Sequence, residues 1–249
     1  MHIGIIGGIG PAATDFYYRR LIRTFAREKA SLDLTIVHAD TPTLLDNQAR
    51  NNAAQQADIF AQLSHRLAGA GANFVAVTSI AGHFCRKEFA AISPLPVVDM
   101  IDVVDRAIAD RGPKRIGILG TRIVMASRFY GALTTAEVIP PDGADLDSVH
   151  DAYVAVAVSG KVTEAQHRIF HTAATRLIEE QQADAIMLGG TDLALVFDEH
   201  SSPFPLIDCA AIHSDAIARR ALSGRRHHAD GTTTGNLEPT RSVTNQPAH

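Results

Sequence analysis

The chain has 249 residues, of which 46% are hydrophobic and 20% charged, and this composition indicates one large or two small folded domains rather than a disordered chain. A net charge of −4 leaves no broad cationic face for nucleic acid, and no apolar run reaches the roughly 20 residues that span a membrane. The two cysteines, Cys85 and Cys209, exclude a disulfide scaffold, and with a start that lacks a secretory signal they predict a cytoplasmic protein.

Short apolar segments alternate with helical segments along the chain. The segments predicted as strands are 2–6, 32–37, 73–77, 115–119, 185–188 and 206–207. The segments predicted as helices are 12–27, 55–67, a stretch after residue 119 that ends at Tyr130, 166–180 and 210–222. This alternation predicts an α/β fold, with parallel sheets that helices cover on both faces.

The sequence repeats itself in two places. Ile-Gly-Ile-Ile-Gly at 3–7 matches Ile-Gly-Ile-Leu-Gly at 116–120. Ser-Pro-Leu-Pro at 93–96 matches Ser-Pro-Phe-Pro at 202–205, in the same order and at a similar offset. Ordered matches of this kind predict an internal duplication, so the chain is interpreted as two similar α/β halves.

The repetition divides the chain into two halves and a tail. The first half covers 1–100 and is completed by a C-terminal helix at 208–222, and the second half covers 101–207. Residues 223–249 carry almost no apolar side chains and are predicted to form a disordered tail. Because ligands bind beyond the carboxyl ends of parallel strands, two facing halves predict an active-site cleft between them.

The loop after the first strand is rich in glycine. Gly8, Ile9, Gly10 and Pro11 begin a G-x-G-x-x-A pattern that is typical of a dinucleotide site. Pro11 removes one N–H from the helix N-terminus that would hold a pyrophosphate, which counts against that interpretation. A small carboxylate at the same helix N-terminus is favoured instead.

Two further strand-end loops carry polar side chains. Thr78, Ser79 and His83 follow the third strand, and Thr191 and Asp192 follow the strand at 185–188. Hydroxyl, imidazole and carboxylate groups at strand ends are suited to binding and proton transfer. The structural alternative is local capping: a Thr or Ser that caps the next helix in the first loop, and a tight turn in the second.

Two histidines form a candidate metal site. His167 and His171 are four residues apart and share one face of a predicted helix. No third ligand or glutamate accompanies them as in a zinc enzyme, so a solvated helix face is favoured. The sequence therefore predicts neither a metal nor a cofactor.

These motifs together resemble the aspartate/glutamate racemase family. The resemblance rests on 4–14, on the two strand-end loops and on Leu-Ile-Asp at 206–208, and it extends over nearly all of 1–222. It implies a two-domain fold, a small amino or carboxylic acid as substrate, a homodimer, and catalysis without pyridoxal phosphate. Members of the family use two cysteines, one from each half, on opposite faces of the substrate.

The chain departs from the family pattern at both cysteines, which Thr78 and Gly190 replace. Val124 stands where the family has a threonine, and Arg50 lies near the position of a substrate-binding arginine. The candidate catalytic positions are Thr78, His83, Gly190, Thr191 and Asp192. The positions at which the resemblance implies substrate contact are Gly8, Ile9, Gly10, Ser79, Ile80, Val124 and Arg50.

Three functions stay open at this point. The first is α-proton transfer on a small amino or carboxylic acid, with His83 as a substitute base and Cys85 or Cys209 in reserve. The second is a decarboxylase-like or lyase-like step, in which Thr78, Ser79 and Thr191 stabilise an enolate. The third is a binding protein for a small carboxylate that has kept the fold but carries out no reaction.

Overall fold

The computed structural model describes the backbone of residues 1–8, 10–197 and 202–229, and the side chains of these residues up to 224. The strands are β1 (Ile3–Gly7), β2 (Leu34–His38), β3 (Phe74–Val77), β4 (Arg115–Gly120), β5 (Glu137–Ile139), β6 (Ala185–Gly189) and β7 (Leu206–Asp208). The helices are α1 (Pro11–Arg27), α2 (Thr41–Ala49), α3 (Ala53–Gly69), α4 (Arg86–Ile92), α5 (Met100–Arg111), α6 (Arg122–Ala126), α7 (Gly143–Ser159), α8 (Glu164–Glu179) and α9 (Cys209–Ala229). Short 3₁₀ turns lie at Ala81–Cys85, Phe129–Gly131 and Thr191–Leu195.

The strands form two parallel sheets. The first has the order β2-β1-β3, and the second has the order β5-β4-β6-β7. Val97 makes a parallel bridge to Val75 of β3, at the place that β7 occupies beside β6. The sheets are flanked by helices, with α3 against β1 and β2, and α8 against β4 and β6. The predicted fold class, two α/β halves with parallel sheets, is confirmed.

Local sequence signals begin and end several of these helices. Pro11 begins α1, where its missing N–H removes no intrahelical bond. Asp99 caps α5, because its carboxylate accepts the backbone N–H groups of Ile101 and Asp102. Gly112 ends α5 with a φ of 89°, a left-handed conformation that glycine adopts without a Cβ penalty. These signals set where α1 begins and where α5 begins and ends.

One continuous apolar core runs through both halves. It includes Ile3 and Ile5 of β1 and Ile116 and Ile118 of β4, together with buried side chains of α5 and α9. A smaller cluster fills the other side of the first sheet, where β1 and β3 pack against α2, α3 and α4. Since the larger core is shared, the two halves are packed against each other over an extensive apolar surface.

The last helix, α9, packs against α1 of the first half and against α5, which begins where the first half ends. The Tyr17 hydroxyl donates to His213 Nδ1 at 2.9 Å, and His213 Nε2 donates to the Val98 carbonyl at 2.8 Å. Arg20 and Asp215 add a two-bond ion pair at 2.8 and 2.9 Å. The helix that follows the second half in the sequence is therefore fixed to the first half by these polar contacts.

Two predicted boundaries differ from the structure by more than two residues. The helix after β4 ends at Ala126 instead of Tyr130, because Arg128, Phe129 and Tyr130 have φ values of 50°, 58° and 61°. Helix α9 continues to Ala229, past the predicted end at 222, since the arginines after Gly224 favour helix. The rest of the predicted tail, 230–249, lies outside the described residues.

Candidate active site

The first residues of the loop after β3 are buried inside the protein. Thr78 is fully buried, and its Oγ1 donates to the Ile6 carbonyl at 3.5 Å. Ser79 and Ile80 are also buried. The Thr78 hydroxyl is therefore bonded to the backbone of β1, and no basic side chain of the described residues bonds to it and would make it a proton-transfer group.

The imidazole of His83 has both nitrogens occupied. Nδ1 donates to the Ser79 carbonyl at 2.7 Å, and Nε2 accepts the Met100 backbone N–H at 3.4 Å. The residue is buried, and burial lowers the pKa of the imidazole below its ordinary value. These bonds hold a neutral ring between the loop and the start of α5. The geometry gives no support to the expected role of His83 as a substitute base.

The two cysteines are structural as well. Cys85 is buried with its Sγ 3.4 Å from the Gly82 carbonyl, and burial together with Glu88 raises its pKa to about 12. Cys209 is fully buried, and burial with the Asp208 carboxylate raises its pKa well above the ordinary value. Since a thiolate is the reactive form of cysteine, neither side chain is a suitable base near neutral pH.

The loop after β6 is arranged differently, around Gly190. A Cβ at this position would lie 2.3 to 2.4 Å from three atoms of the Tyr153 ring and hydroxyl. Tyr153, on α7, thus fills the space that any side chain at 190 would enter. Its hydroxyl donates to Asp192 Oδ2 at 3.1 Å, and burial with this carboxylate raises the pKa of the phenol above its ordinary value.

Asp192 is the most unusual polar group of this loop. The residue is 7% exposed, and its Oδ1 is buried with no hydrogen-bond partner among the described residues. A buried carboxylate oxygen without a donor is destabilising, so such groups mark strained or functional positions. Thr191 precedes it at the start of the 3₁₀ turn. The predicted site residues Gly190, Thr191 and Asp192 are thus brought together.

A cavity of about 260 Å³ separates α1 of the first half from the 3₁₀ turn after β6. Its lining residues from α1 are Ala12, Asp15, Phe16, Arg19 and Arg23. Its lining residues from the second half are Gly160, Thr191, Asp192, Ala194 and Leu195. Arg19 is paired with Asp15 at 2.7 Å, whereas Arg23 has no ion pair among the residues that the structure describes. The cavity therefore combines a free cation, a buried carboxylate and an apolar wall.

The glycine-rich loop after β1 lies next to a separate hollow. The Thr14 hydroxyl accepts the Gly8 N–H at 2.8 Å, and the Thr41 hydroxyl donates to the Gly8 carbonyl at 2.8 Å. Gly10 precedes α1 with a φ of 80°, and Ile9 lies outside the described residues. The hollow, about 430 Å³, is lined by Gly7, Gly8, Pro11, Thr14, Asp15, Tyr18, Ile36 and His38.

Two predicted substrate contacts lie away from the cavity. Val124 is 1% exposed and belongs to the shared core, because α6 turns this side chain inward behind β6. Arg50 is exposed at the end of α2 and pairs with Asp46 at 2.9 Å. Neither residue is in the wall of the cavity, so the cation provided there comes from α1 instead.

Tyr130 links the two halves, and sequence reasoning missed it. Its hydroxyl lies 3.2 Å from the Ile80 carbonyl and 3.4 Å from the Ala81 carbonyl. Gln48 donates to the Ala81 carbonyl and to the Tyr130 hydroxyl, each at 3.2 Å. The three left-handed residues before Gly131 bring the ring to this position. No spacing in the sequence indicated it, because the pattern of this stretch is that of a helix.

The described residues contain no group of three or more His, Cys, Asp or Glu side chains placed to hold a metal ion. The rings of His167 and His171 are stacked with centroids 4.2 Å apart, and His171 also packs against Phe197. Within the described part of the chain, no helix is both long and apolar enough to cross a membrane. The two histidines of α8 therefore stack on each other, and His171 packs against Phe197 beyond the helix.

Comparison with known proteins gives a consistent result. The family model for Asp/Glu/hydantoin racemase matches residues 6–217. The broad specificity amino-acid racemase RacX of Bacillus subtilis is 25% identical over 221 residues, which are 84% of this chain and 93% of that protein.

Solved structures agree with the fold. A Yersinia pestis structure assigned to the Asp/Glu racemases is 28% identical with a TM-score of 0.80, covering 89% of this chain and 100% of that one. An aspartate racemase homologue from Pyrococcus horikoshii has a TM-score of 0.76 at 24% identity, over 89% of this chain and 99% of that one. At 24% identity, the Pyrococcus horikoshii structure shows similarity of fold only.

Proposed function

This chain belongs to the Asp/Glu/hydantoin racemase family, and on that premise we propose that it transfers the α-proton of a small amino or carboxylic acid without a cofactor. The substrate lies in the cavity between α1 and the 3₁₀ turn after β6, and Asp192 is the base. The halves that meet there are 1–100 with the C-terminal helix, and 101–207. Thr78 and Gly190 occupy the two positions at which the family resemblance implies cysteines.

The observation that carries this proposal is the buried Oδ1 of Asp192. It is a buried carboxylate oxygen with no hydrogen-bond partner among the described residues, and its residue lines the cavity from the second half. A carboxylate in such a place has a free lone pair for a substrate proton, and geometry is the first requirement of a general base. Tyr153 holds the other oxygen, so the orientation of the group is fixed.

The charge and polarity of the cavity define the substrate class. Arg23 has no ion pair among the described residues, and a guanidinium is suited to bind a carboxylate through two parallel hydrogen bonds. Phe16 and Leu195 give an apolar wall beside it. The cavity is smaller than the 300 to 1,000 Å³ that is usual for drug-sized ligands, so it suits a small acid.

The proposal is tested by Asp192→Asn. Asparagine has nearly the same shape and still accepts the Tyr153 hydroxyl, but it cannot take up a proton. The wild type and the variant are incubated in D₂O with a panel of amino acids and 2-substituted carboxylic acids, and loss of the α-proton signal is followed by ¹H NMR. We expect exchange in the wild type and at least about a 100-fold slower rate in the variant.

Asp58→Asn is the matched control, because Asp58 is an exposed aspartate of α3, away from the cavity. It keeps the wild-type rate if the effect is specific to Asp192. Equal exchange by the Asp192 variant would contradict the role of this residue. Release of CO₂ from a panel compound would favour the decarboxylase alternative, and thermal stabilisation by a compound with no exchange would favour the binding protein.

A further inference from the structure

Helix α7 presents apolar side chains to solvent on the face opposite the core. Val149 and Val156 are buried, whereas Val154 is 41% exposed and Val158 is 84% exposed. No other large apolar side chain in the described part of the chain is as exposed as Val158. The outer face of a surface helix ordinarily carries charged or polar side chains, so exposed valines there indicate a contact that a single copy of the chain does not make.

The exposed residues of α7 have the spacing of a helix–helix contact. Asp147, Asp151, Val154 and Val158 are separated by four, three and four residues, so they form one stripe along the helix. The exposed residues that flank the valines, at 155 and 157, are alanines. Because the distance between packed helices depends on the side chains at the contact, small flanking residues let a second helix approach closely. The stripe is therefore suited to pack against another helix.

The charges on either side of the valines make this stripe complementary to itself. Val154 and Val158 lie two residues before and two residues after position 156. Asp151 and Lys161 lie five residues before and five residues after the same position. Asp147 pairs with an arginine of its own chain, but neither Asp151 nor Lys161 has an ion pair among the residues that the structure describes.

Two copies of α7 that run antiparallel about an axis at position 156 would satisfy both features. Each Val154 would meet Val158 of the partner subunit, which removes the exposed apolar surface from water. Each Asp151 would meet the partner's Lys161, so that opposite charges face each other at both ends of the contact. A different protein would have to reproduce the same order of charges around an apolar centre, whereas a second copy carries it already.

We propose that this chain forms a two-fold symmetric homodimer through α7, with Val154 and Val158 at the centre of the contact and Asp151–Lys161 pairs at its two ends. A two-fold dimer uses the same surface on both subunits, which is the arrangement that a self-complementary stripe fits. The inference is independent of the proposed function, because no residue of the stripe lines the cavity.

The proposed contact lies next to the proposed active site. Helix α7 also carries Tyr153, whose hydroxyl donates to Asp192 on the inner side of the helix. Gly160, which ends α7, is two residues from Val158 and lines the cavity. One helix therefore connects the dimer contact with the group that holds the proposed base.

The mass of the full chain in solution tests this inference. Sedimentation velocity is measured from about 1 to 100 μM, since a dimer forms according to protomer concentration. We expect twice the 26.7 kDa of one chain for the wild type. Val158→Glu places two carboxylates close to the axis, so we expect it to have the mass of one chain. Its far-UV circular dichroism spectrum is expected to stay unchanged, because Val158 is mostly exposed in the single chain.

Ile92→Glu is the matched control, because it makes the same change at a 46% exposed apolar residue that ends α4. This variant is expected to remain dimeric. A wild type with the mass of one chain over the whole concentration range overturns the inference, and so does a Val158→Glu protein that is still a dimer.

Charge reversal tests the antiparallel arrangement. Asp151→Lys places like charges together at both ends of the contact, and we expect the dimer dissociation constant to rise at least about 10-fold. Adding Lys161→Asp restores opposite charges, so the double variant is expected to return close to the wild-type value. A double variant that binds no more tightly than Asp151→Lys alone contradicts the arrangement.

The exchange assay in D₂O is run on the same proteins, and it separates this inference from the proposed function. A dimeric wild type that exchanges no α-proton contradicts the proposed function and supports the dimer. A monomeric wild type that exchanges α-protons overturns the dimer and supports the proposed function.

Discussion

At the scale of single residues, Gly190 is explained by a side chain that is distant in sequence. Its φ of −160° is an extended conformation that any residue adopts, so backbone strain does not require glycine there. The Tyr153 ring is what requires glycine at 190, since a Cβ there would lie 2.3 Å from one of the ring carbons. The two residues form one packed unit, and substitution of either one is expected to depend on the other.

This dependence predicts a stability cycle. Gly190→Ala forces the Tyr153 ring to move, and we expect it to lower the free energy of unfolding by about 1–3 kcal/mol, as for overpacking elsewhere. In a Tyr153→Ala background the added methyl group has space, so the loss becomes much smaller. Urea unfolding of the four proteins measures the coupling.

Gly69→Ala is the matched control, because a Cβ at Gly69 meets no atom within 4 Å and the residue lies in α3. It is expected to leave stability unchanged or raised. Equal costs of Gly190→Ala in both backgrounds would contradict the packing argument.

The sequence predicted part of this site and not the rest. The strand-end loop with Gly190, Thr191 and Asp192 was located because polar residues directly follow a buried strand. Tyr153 could not be predicted as a site residue, since α7 was not among the predicted elements. Nothing in the sequence of α7 indicates a contact with position 190. His83 was expected to be a base from its residue type alone, and only its two backbone bonds show otherwise.

At the scale of elements, α9 depends on a neutral histidine. His213 is fully buried between Tyr17 and the Val98 carbonyl, and burial with His83 nearby lowers its pKa to about 3. The unfolded chain has an ordinary histidine with a pKa near 6.5. Below that pH the unfolded state binds a proton that the folded state does not, so stability falls as the pH falls from about 6.5 toward 3.

This predicts acid sensitivity that can be assigned to one residue. Between pH 7 and pH 5 we expect His213 to contribute a loss of about 2 kcal/mol. His213→Gln removes the titrating group, so the variant starts less stable at pH 8 and loses less on acidification. Thermal unfolding from pH 5 to 8 compares the two slopes, and parallel slopes would assign the acid sensitivity to other groups such as His83.

The strands were easier to predict than the helices. Buried strands such as β1 and β3 consist of short apolar runs between turn residues, and that pattern is specific. Helix α7 has exposed Val154 and Val158, so its apolar side chains do not mark one face clearly. The end of α6 was misjudged because the left-handed turn at Phe129–Gly131 arises from tertiary bonds of Tyr130 rather than from a glycine or proline before it.

At the scale of the whole molecule, the shared core and the cavity between the halves decide what binds. A ligand that contacts α1 and the 3₁₀ turn after β6 bridges both halves, and at a given concentration it stabilises the folded chain more the lower its Kd is. Because Phe16 and Leu195 line the cavity beside Arg23, we expect hydrophobic amino or carboxylic acids to raise the melting temperature more than aspartate does. A thermal-shift panel at equal concentrations measures this.

Arg23→Gln is the control for this panel, since it removes the cation but leaves the apolar wall. The variant is expected to lose most of the shift with every acid. A panel in which aspartate gives the largest shift would contradict the apolar assignment of the cavity.

The position of α9 also bears on how a ribosome produces this protein. Translation delivers α1 and α5 before the helix that packs on both of them, Cys209–Ala229. Until α9 is made, the Tyr17 hydroxyl and the Val98 carbonyl lack His213 as their hydrogen-bond partner. The second sheet is therefore complete before α9 covers α1 of the first half. The half that is synthesised first is thus the half that is completed last.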